Sequence, residues 1–129
     1  MVVLNRKVAV IGIDYQQKNG IQRLIHKLRS SMRDPNLVFT NCSSSGWDIY
    51  HRILQLKVDK IIILDQFEDE TESNINYLTI NDSILIVGIN PKFFKDKISL
   101  ELKKDWEQII FQIKRLILKE ISLDSIAQF

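Results

Sequence analysis

The stretch that decides the fold is Val8-Ala9-Val10-Ile11-Gly12-Ile13-Asp14, which has no polar side chain before its last residue. A continuous apolar run of this length is typical of a central strand covered on both faces, because a strand with one wet face would alternate apolar and polar residues. Residues 20–32 follow, with apolar side chains at the three- and four-residue spacing of a helix. The chain therefore opens with a buried strand, a turn and a helix.

The rest of the sequence continues this alternation. Strands are predicted at residues 8–13, 37–40, 60–65, 75–80 and 83–89, and helices at 20–32, after Ser45 and after Ser99. The short link Asn81-Asp82 favours an antiparallel hairpin between the last two strands. Together the elements predict an α/β fold in three layers: a mostly parallel, twisted sheet of about five strands with one antiparallel edge and helices on both faces.

For two of the predicted helices, the sequence also predicts which side chains are buried. The second helix is expected to face the core with Trp47, Tyr50, Ile53 and Leu54. The last helix is expected to do so with a longer stripe: Leu102, Trp106, Ile109, Ile110, Ile113, Leu116 and Ile117. Phe111 and Leu118 lie outside that stripe, and we interpret them as further core, with a contact surface as the alternative.

The composition restricts the class of protein. A chain of 129 residues suits a single domain spanning 1–129, and 45% hydrophobic with 26% charged residues is ordinary for a soluble globular protein. The net charge of +2 is too balanced to indicate nucleic-acid binding. No apolar run approaches the roughly 20 residues of a membrane-spanning helix. Cys42 is the only cysteine, so no internal disulfide can form and a cytoplasmic location is expected.

Polar residues stand at the ends of several predicted strands. In open α/β sheets, ligands bind beyond the carboxyl ends of the strands, so a cleft is expected there. Its polar lining is expected to come from seven residues: Asp14, Asn19, Asn41, Cys42, Ser43, Asp65 and Asn90.

Several motifs in this order resemble those of the hydrogenase maturation endopeptidases, which trim the C-terminal extension of nickel–iron hydrogenase large subunits. Residues 12–22 correspond to the family pattern G-N-x-L-x-x-D-D/E-G-x-G, residues 41–46 to D-G-G-T-x-G, and residues 59–66 to a strand that ends in D-A. Residues 84–91 and the helix after Ser99 are similar to two later family segments. The resemblance spans nearly the whole chain and implies the phosphorylase/hydrolase-like fold of that family.

The sequence departs from the family where nickel is recognised. The resemblance implies two acidic ligands and one histidine, but the acidic positions are Asn19 and Asn41 here, and no histidine follows His51. A neutral amide oxygen is a weaker ligand than a carboxylate for a divalent transition metal. The resemblance with these losses implies a non-proteolytic binding or assembly module, without catalytic residues, bound metal or cofactor, for a hydrogenase-large-subunit-like protein partner.

Two other functions stay open. An active nickel-dependent maturation endopeptidase, or another metal-dependent hydrolase, would use Asp14 and Asp65, with Asp48 as a further candidate ligand. A receiver-like signalling domain would accept a phosphoryl group on Asp65, although the sequence lacks the acidic pair and the lysine placement of receivers. Local hydrogen bonding at a strand end explains Asp65 without either function.

The remaining candidates have simple structural explanations. We interpret Cys42 as a small residue packed in a loop, since no histidine or acid is tied to it by a recognisable pattern. His26 and His51 are interpreted as surface residues. The surface offered to a protein partner is expected to include Lys18, Arg23, Lys27, Phe111 and Leu118, although a solvated basic face also explains the cations.

Overall fold

The computed structural model describes residues 6–14, 20–43, 46–67, 72–95 and 97–122. Within these ranges the strands are β1 Val8–Asp14, β2 Leu37–Ser43, β3 Lys60–Gln66, β4 Ile75–Thr79 and β5 Ile84–Ile89. The helices are α1 Gly20–Ser31, α2 Gly46–Gln55 and α3 Leu100–Ile121, and Pro91–Phe94 forms a short 3₁₀ helix.

The strands form one sheet in the order β2-β1-β3-β5-β4. Neighbouring strands are parallel except β4 and β5, which run antiparallel at one edge. The helices α1 and α3 pack on one face of the sheet, and α2 packs on the other. The predicted three-layer α/β fold is confirmed. Its strand order differs from the parallel 2-1-3-4-5 order of receiver domains.

The central strand β1 is buried on both faces. Val8 and Val10 belong to the cluster formed with α1 and α3, whereas Ala9, Ile11 and Ile13 belong to the cluster covered by α2. None of these side chains is more than 2% exposed. Each buried valine or isoleucine contributes about 1.5–3 kcal/mol relative to an exposed one, so β1 ties the three layers together.

Most element boundaries agree with the predictions to within one or two residues, and β2 is the main exception. It continues through Ser43, so residues 41–43 belong to a strand and not to the loop that was predicted there. The 3₁₀ helix Pro91–Phe94 was not predicted. Ser99 does cap α3, because its hydroxyl accepts a hydrogen bond from the Leu102 N–H at 3.2 Å. The predicted cap Ser45 lies outside the described residues.

The buried side of α2 differs from the prediction. Trp47 is 72% exposed, Leu54 is 63% exposed, and Tyr50 is also exposed. The helix packs on the sheet through Ile53, as predicted, and through Ile49, which was not predicted. The prediction was wrong because the aromatic residues of a helix are usually its buried ones, whereas here Trp47 packs on its own helical neighbours, with its ring 5.6 Å from His51.

The core stripe predicted for α3 is confirmed, with Ile109, Ile110, Ile113 and Ile117 buried. Phe111 and Leu118 are both more than half exposed, so their interpretation as further core is wrong. The layers beneath α3 are already filled by the main stripe, which leaves these two side chains on the outer surface. Whether they contact a partner stays a prediction.

Among the described residues, no helix combines the length and the apolar character needed to cross a membrane.

The orientation of α2 can be tested with two adjacent residues of similar size. Ile53→Ala should lower the free energy of unfolding by about 2 kcal/mol, because Ile53 packs against the sheet. Leu54→Ala should change it by less than about 0.5 kcal/mol, because Leu54 faces solvent. Urea denaturation of both variants provides the measurement. Equal losses would contradict this orientation.

Candidate functional site

The candidate site is the edge of the sheet at which β1, β2, β3 and β5 end, here called the carboxyl edge. Asp14 pairs with Ser43 at the ends of β1 and β2, and β3 ends close by at Gln66. Asn19, Lys18 and the side chain of Asp14 lie outside what the structure describes. The predicted site residues that can be placed are therefore Asn41, Cys42, Ser43, Asp65 and Asn90.

Asn41 and Cys42 are adjacent in β2 and lie on opposite faces of the sheet. Asn41 lies opposite Gly12 in the ladder with β1, on the side of α1. Cys42 belongs to the cluster beneath α2. Alternation of side chains along a strand separates them, so these two residues do not line one common pocket.

Asn41 lies against the backbone of Gly12. A Cβ atom on Gly12 would lie 2.8 Å from Asn41 Oδ1, 2.6 Å from Ile25 Cγ1 and 2.9 Å from Ile21 Cγ2. Asn41 Oδ1 is buried, and no hydrogen-bond donor reaches it among the described residues. Gly12 has no side chain, which leaves space for the Asn41 amide, and Ile21 and Ile25 of α1 lie beside the same spot.

Ser43 and Asp48 connect the end of β2 to the start of α2. The Ser43 N–H donates to Asp48 Oδ2 at 2.8 Å. This backbone hydrogen bond, together with one from the Ser43 side chain, lowers the pKa of the Asp48 carboxyl below its usual range. Asp48 therefore stays ionised, at a helix N-terminus where a negative charge is favoured. The sequence already indicated this role for Asp48, because an acidic residue in the first turn is typical of a helix N-terminus.

Cys42 is only 4% exposed. Burial raises the pKa of its thiol, and the nearby Asp48 and Asp65 carboxylates raise it further, while Arg52 opposes them. A thiol of this kind stays protonated at neutral pH and is a poor nucleophile. The environment fits the interpretation of Cys42 as a packed residue, although it packs within a strand and not in a loop.

Asp65 lies near the end of β3 and accepts a hydrogen bond from the Gln66 N–H at 2.8 Å. This bond is of the local kind that explains an aspartate at a strand end without a catalytic role. Among the described histidine, cysteine, aspartate and glutamate residues, no group of three is placed to hold a metal ion. The side chain of Asp14 is outside that set, so the proposed pairing of Asp14 with Asp65 stays a prediction.

Asn90 is fully buried at the end of β5. Its amide nitrogen donates to the Ser73 carbonyl at 2.9 Å, and its oxygen accepts from the Lys92 N–H at 3.0 Å. Its own N–H donates to the Asn74 carbonyl at 3.0 Å. These bonds hold the chain before β4 beside the start of the 3₁₀ helix, so Asn90 shapes the carboxyl edge from within.

The predicted partner surface divides into separate parts. Arg23 and Lys27 are exposed on α1, whereas Phe111 and Leu118 are exposed on α3. A groove of about 740 Å³ lies at the far end of α1, lined by residues that include His26, Arg29, Arg33 and Phe39. This groove is remote from the carboxyl edge, because α1 runs away from that edge after its first turn. Sequence patterns gave no signal for it.

Among solved structures, the chain matches a NiFe hydrogenase maturation protease, HycI from Thermococcus kodakarensis, with a TM-score of 0.59. The fold is that of a hydrogenase maturation protease. The match covers 86% of this chain and 92% of that one at 13% sequence identity. At this identity the likeness shows the fold and not the activity. No family model and no curated protein matches the sequence.

The environment of Cys42 predicts a slow reaction with iodoacetamide. Because the thiol is buried and its pKa is raised, the native protein should react at least about tenfold more slowly than the urea-unfolded chain at neutral pH. Asp48→Asn should lower the pKa of Cys42 and accelerate alkylation, since it removes a neighbouring negative charge. Mass spectrometry over a pH series measures both effects.

Glu107→Gln is the matched control, because it removes an exposed carboxylate from α3, on the other face of the sheet. It should leave the alkylation rate unchanged. A native rate equal to the unfolded rate would show that Cys42 is accessible and reactive.

Proposed function

We propose that this protein is a non-proteolytic relative of the hydrogenase maturation proteases that binds a hydrogenase-large-subunit-like partner during assembly or as a stable subunit. The proposal rests on the combination of the protease fold with neutral amides at the two positions that the sequence resemblance assigns to acidic nickel ligands. The protein would keep the recognition cleft and leave the partner uncut.

The surroundings of Asn41 are the observation that carries this proposal. Nickel in an immature large subunit would be the substrate feature that a peptidase of this family reads. A buried, neutral amide oxygen close to Ile21 and Ile25 is a poor ligand for a divalent cation. Asn41, the one of the two ligand positions that the structure describes, therefore does not fit a nickel site.

The same position suits a neutral side chain. A buried carbonyl oxygen without a donor costs about 1–3 kcal/mol. An unpaired carboxylate at that place would cost more, because burial disfavours a charged group more strongly than a neutral one. This supports the proposed replacement of a nickel-recognising acid by an amide.

The proposal predicts a complex without cleavage. The probe is the large-subunit-like precursor encoded by the same organism, loaded with nickel and incubated with this protein. Size-exclusion chromatography should show a stable complex, and intact-mass measurement should show an untrimmed precursor C-terminus. A trimmed product would overturn the non-proteolytic role, and separate elution of the two proteins would overturn the binding role.

The neutral character of the Asn41 site has its own test. Asn41→Asp should lower the free energy of unfolding at pH 7 by about 2 kcal/mol, because a buried carboxylate without a partner is disfavoured. Burial would raise the pKa of the new carboxyl above its unfolded value, so the loss should shrink as the pH falls toward about 4. Asn76→Asp, on the exposed face of β4, is the matched control and should be nearly neutral. A fully stable Asn41→Asp variant at pH 7 would contradict the argument.

A further inference from the structure

The outer edge of β4 is unpaired in the part of the chain that the structure describes. This strand is the last in the sheet order, and within the described chain it pairs with β5 alone. The Ile80 N–H donates to the Ile84 carbonyl at 3.0 Å, and the Asn90 N–H donates to the Asn74 carbonyl at 3.0 Å. Antiparallel ladders alternate, so the even-numbered residues direct their backbone groups toward β5. Ile75, Tyr77 and Thr79 therefore direct theirs to the open edge.

The sequence of this edge lacks two common protections against the addition of another strand. Residues 73–81 contain no charged residue and no proline, the two features that most often block strand addition. Tyr77, Leu78 and Ile80 are each more than half exposed. Tyr77 lies on the face of α3, whereas Leu78 and Ile80 lie on the face of α2, which packs mainly on β2 at the distant edge.

A basic groove runs beside the same strand. It has a volume of about 460 Å³ and is lined by Tyr77, Gln112, Arg115, Leu116 and Lys119. None of these residues is acidic, and neither Arg115 nor Lys119 forms an ion pair with a described residue. Partial burial raises the pKa of Tyr77, so its hydroxyl remains a neutral donor. The groove thus offers two positive charges and a hydroxyl to a ligand.

We propose that β4 and the basic groove together bind an extended acidic peptide segment of a partner, which adds to the sheet as a sixth strand. Its backbone would bond with Ile75, Tyr77 and Thr79, as in other cases of strand addition. Its acidic side chains would reach Arg115 and Lys119. Alternate apolar side chains would cover Leu78 and Ile80 on the other face. This surface is separate from the carboxyl edge and does not depend on the function proposed above.

A second copy of this chain fits the surface less well. Antiparallel pairing of two β4 strands about a two-fold axis would place both α3 helices on the same face of the joined sheet. The two basic grooves would then adjoin, and Arg115 and Lys119 of one copy would repel those of the other. An acidic partner strand removes this repulsion, which is why charge favours it over self-association.

The probe for this surface is the fluorescein-labelled peptide Ser-Val-Glu-Val-Glu-Val-Ser, whose valines and glutamates alternate as the proposal requires. Fluorescence anisotropy should detect binding to the full chain, and the same peptide with lysine in place of glutamate should bind at least about tenfold more weakly. Thr79→Pro removes one outward N–H without touching the ladder to β5, and it should weaken binding about tenfold. Thr79→Ala keeps that N–H and should bind within about twofold of the wild type.

The charges are tested separately from the backbone. The double variant Arg115→Glu, Lys119→Glu should weaken binding of the glutamate peptide about tenfold or more and strengthen binding of the lysine peptide. Lys103→Glu, Lys104→Glu changes the same charge at the other end of α3 and should have little effect. The two double variants leave the backbone of β4 unchanged. They therefore still test the proposal if Thr79→Pro lowers the midpoint of thermal unfolding.

Three outcomes would overturn the proposal. In the first, the glutamate peptide does not bind at millimolar concentration. In the second, neither Thr79→Pro nor the charge reversal changes the affinity for that peptide. In the third, sedimentation velocity shows a dimer that Thr79→Pro abolishes. The last result would assign the edge to a second copy of this chain.

Discussion

The burial of β1 on both faces is the constraint on which the rest of the structure depends. A strand without polar side chains needs an apolar layer above and below it, so the chain must place helices on both sides of the sheet. The connections between parallel strands supply these layers: α1 covers one face on the way to β2, and α2 covers the other on the way to β3. The carboxyl ends of these strands are brought together as a consequence, and with them the residues of the candidate site.

The same alternation that buries β1 divides the carboxyl edge in two. Gly12 and Asn41 lie toward α1, in an apolar setting where a neutral amide is tolerated. Cys42 lies toward α2, within the electrostatic reach of Asp48 and Asp65. Asn41 and Cys42 thus lie in two environments, one beside apolar residues of α1 and one beside two carboxylates. A single reacting atom could not contact both side chains, because the sheet lies between them.

The sequence was informative where one physical effect dominated. Apolar runs located β1 and β3, and the helical stripe through Ile109, Ile113 and Ile117 located the buried face of α3. The predictions from the sequence were wrong where two physical effects competed. In α2 both faces carry large apolar groups, so periodicity placed Ile53 correctly on the buried side but also placed Trp47 there. At the site, the extension of β2 through Ser43 decided which residues share a face, and its small polar residues gave no strand signal. Contacts made by Asn90 across the hairpin depend on tertiary placement that no local pattern encodes.

Buried charged groups in the described chain have partners, and the buried polar atom without a partner is neutral. Lys60 is 9% exposed, and its ammonium donates to the Asp82 carbonyl at 3.0 Å and lies 3.8 Å from Glu120. Glu120 in turn lies 3.5 Å from Arg6. A buried charge is accepted there because partners surround it, and removing one partner would leave the other charge stranded. The pocket of Asn41 provides no such partner among the described residues. A carboxylate at that position would therefore need a cation to offset its burial, whereas an amide does not.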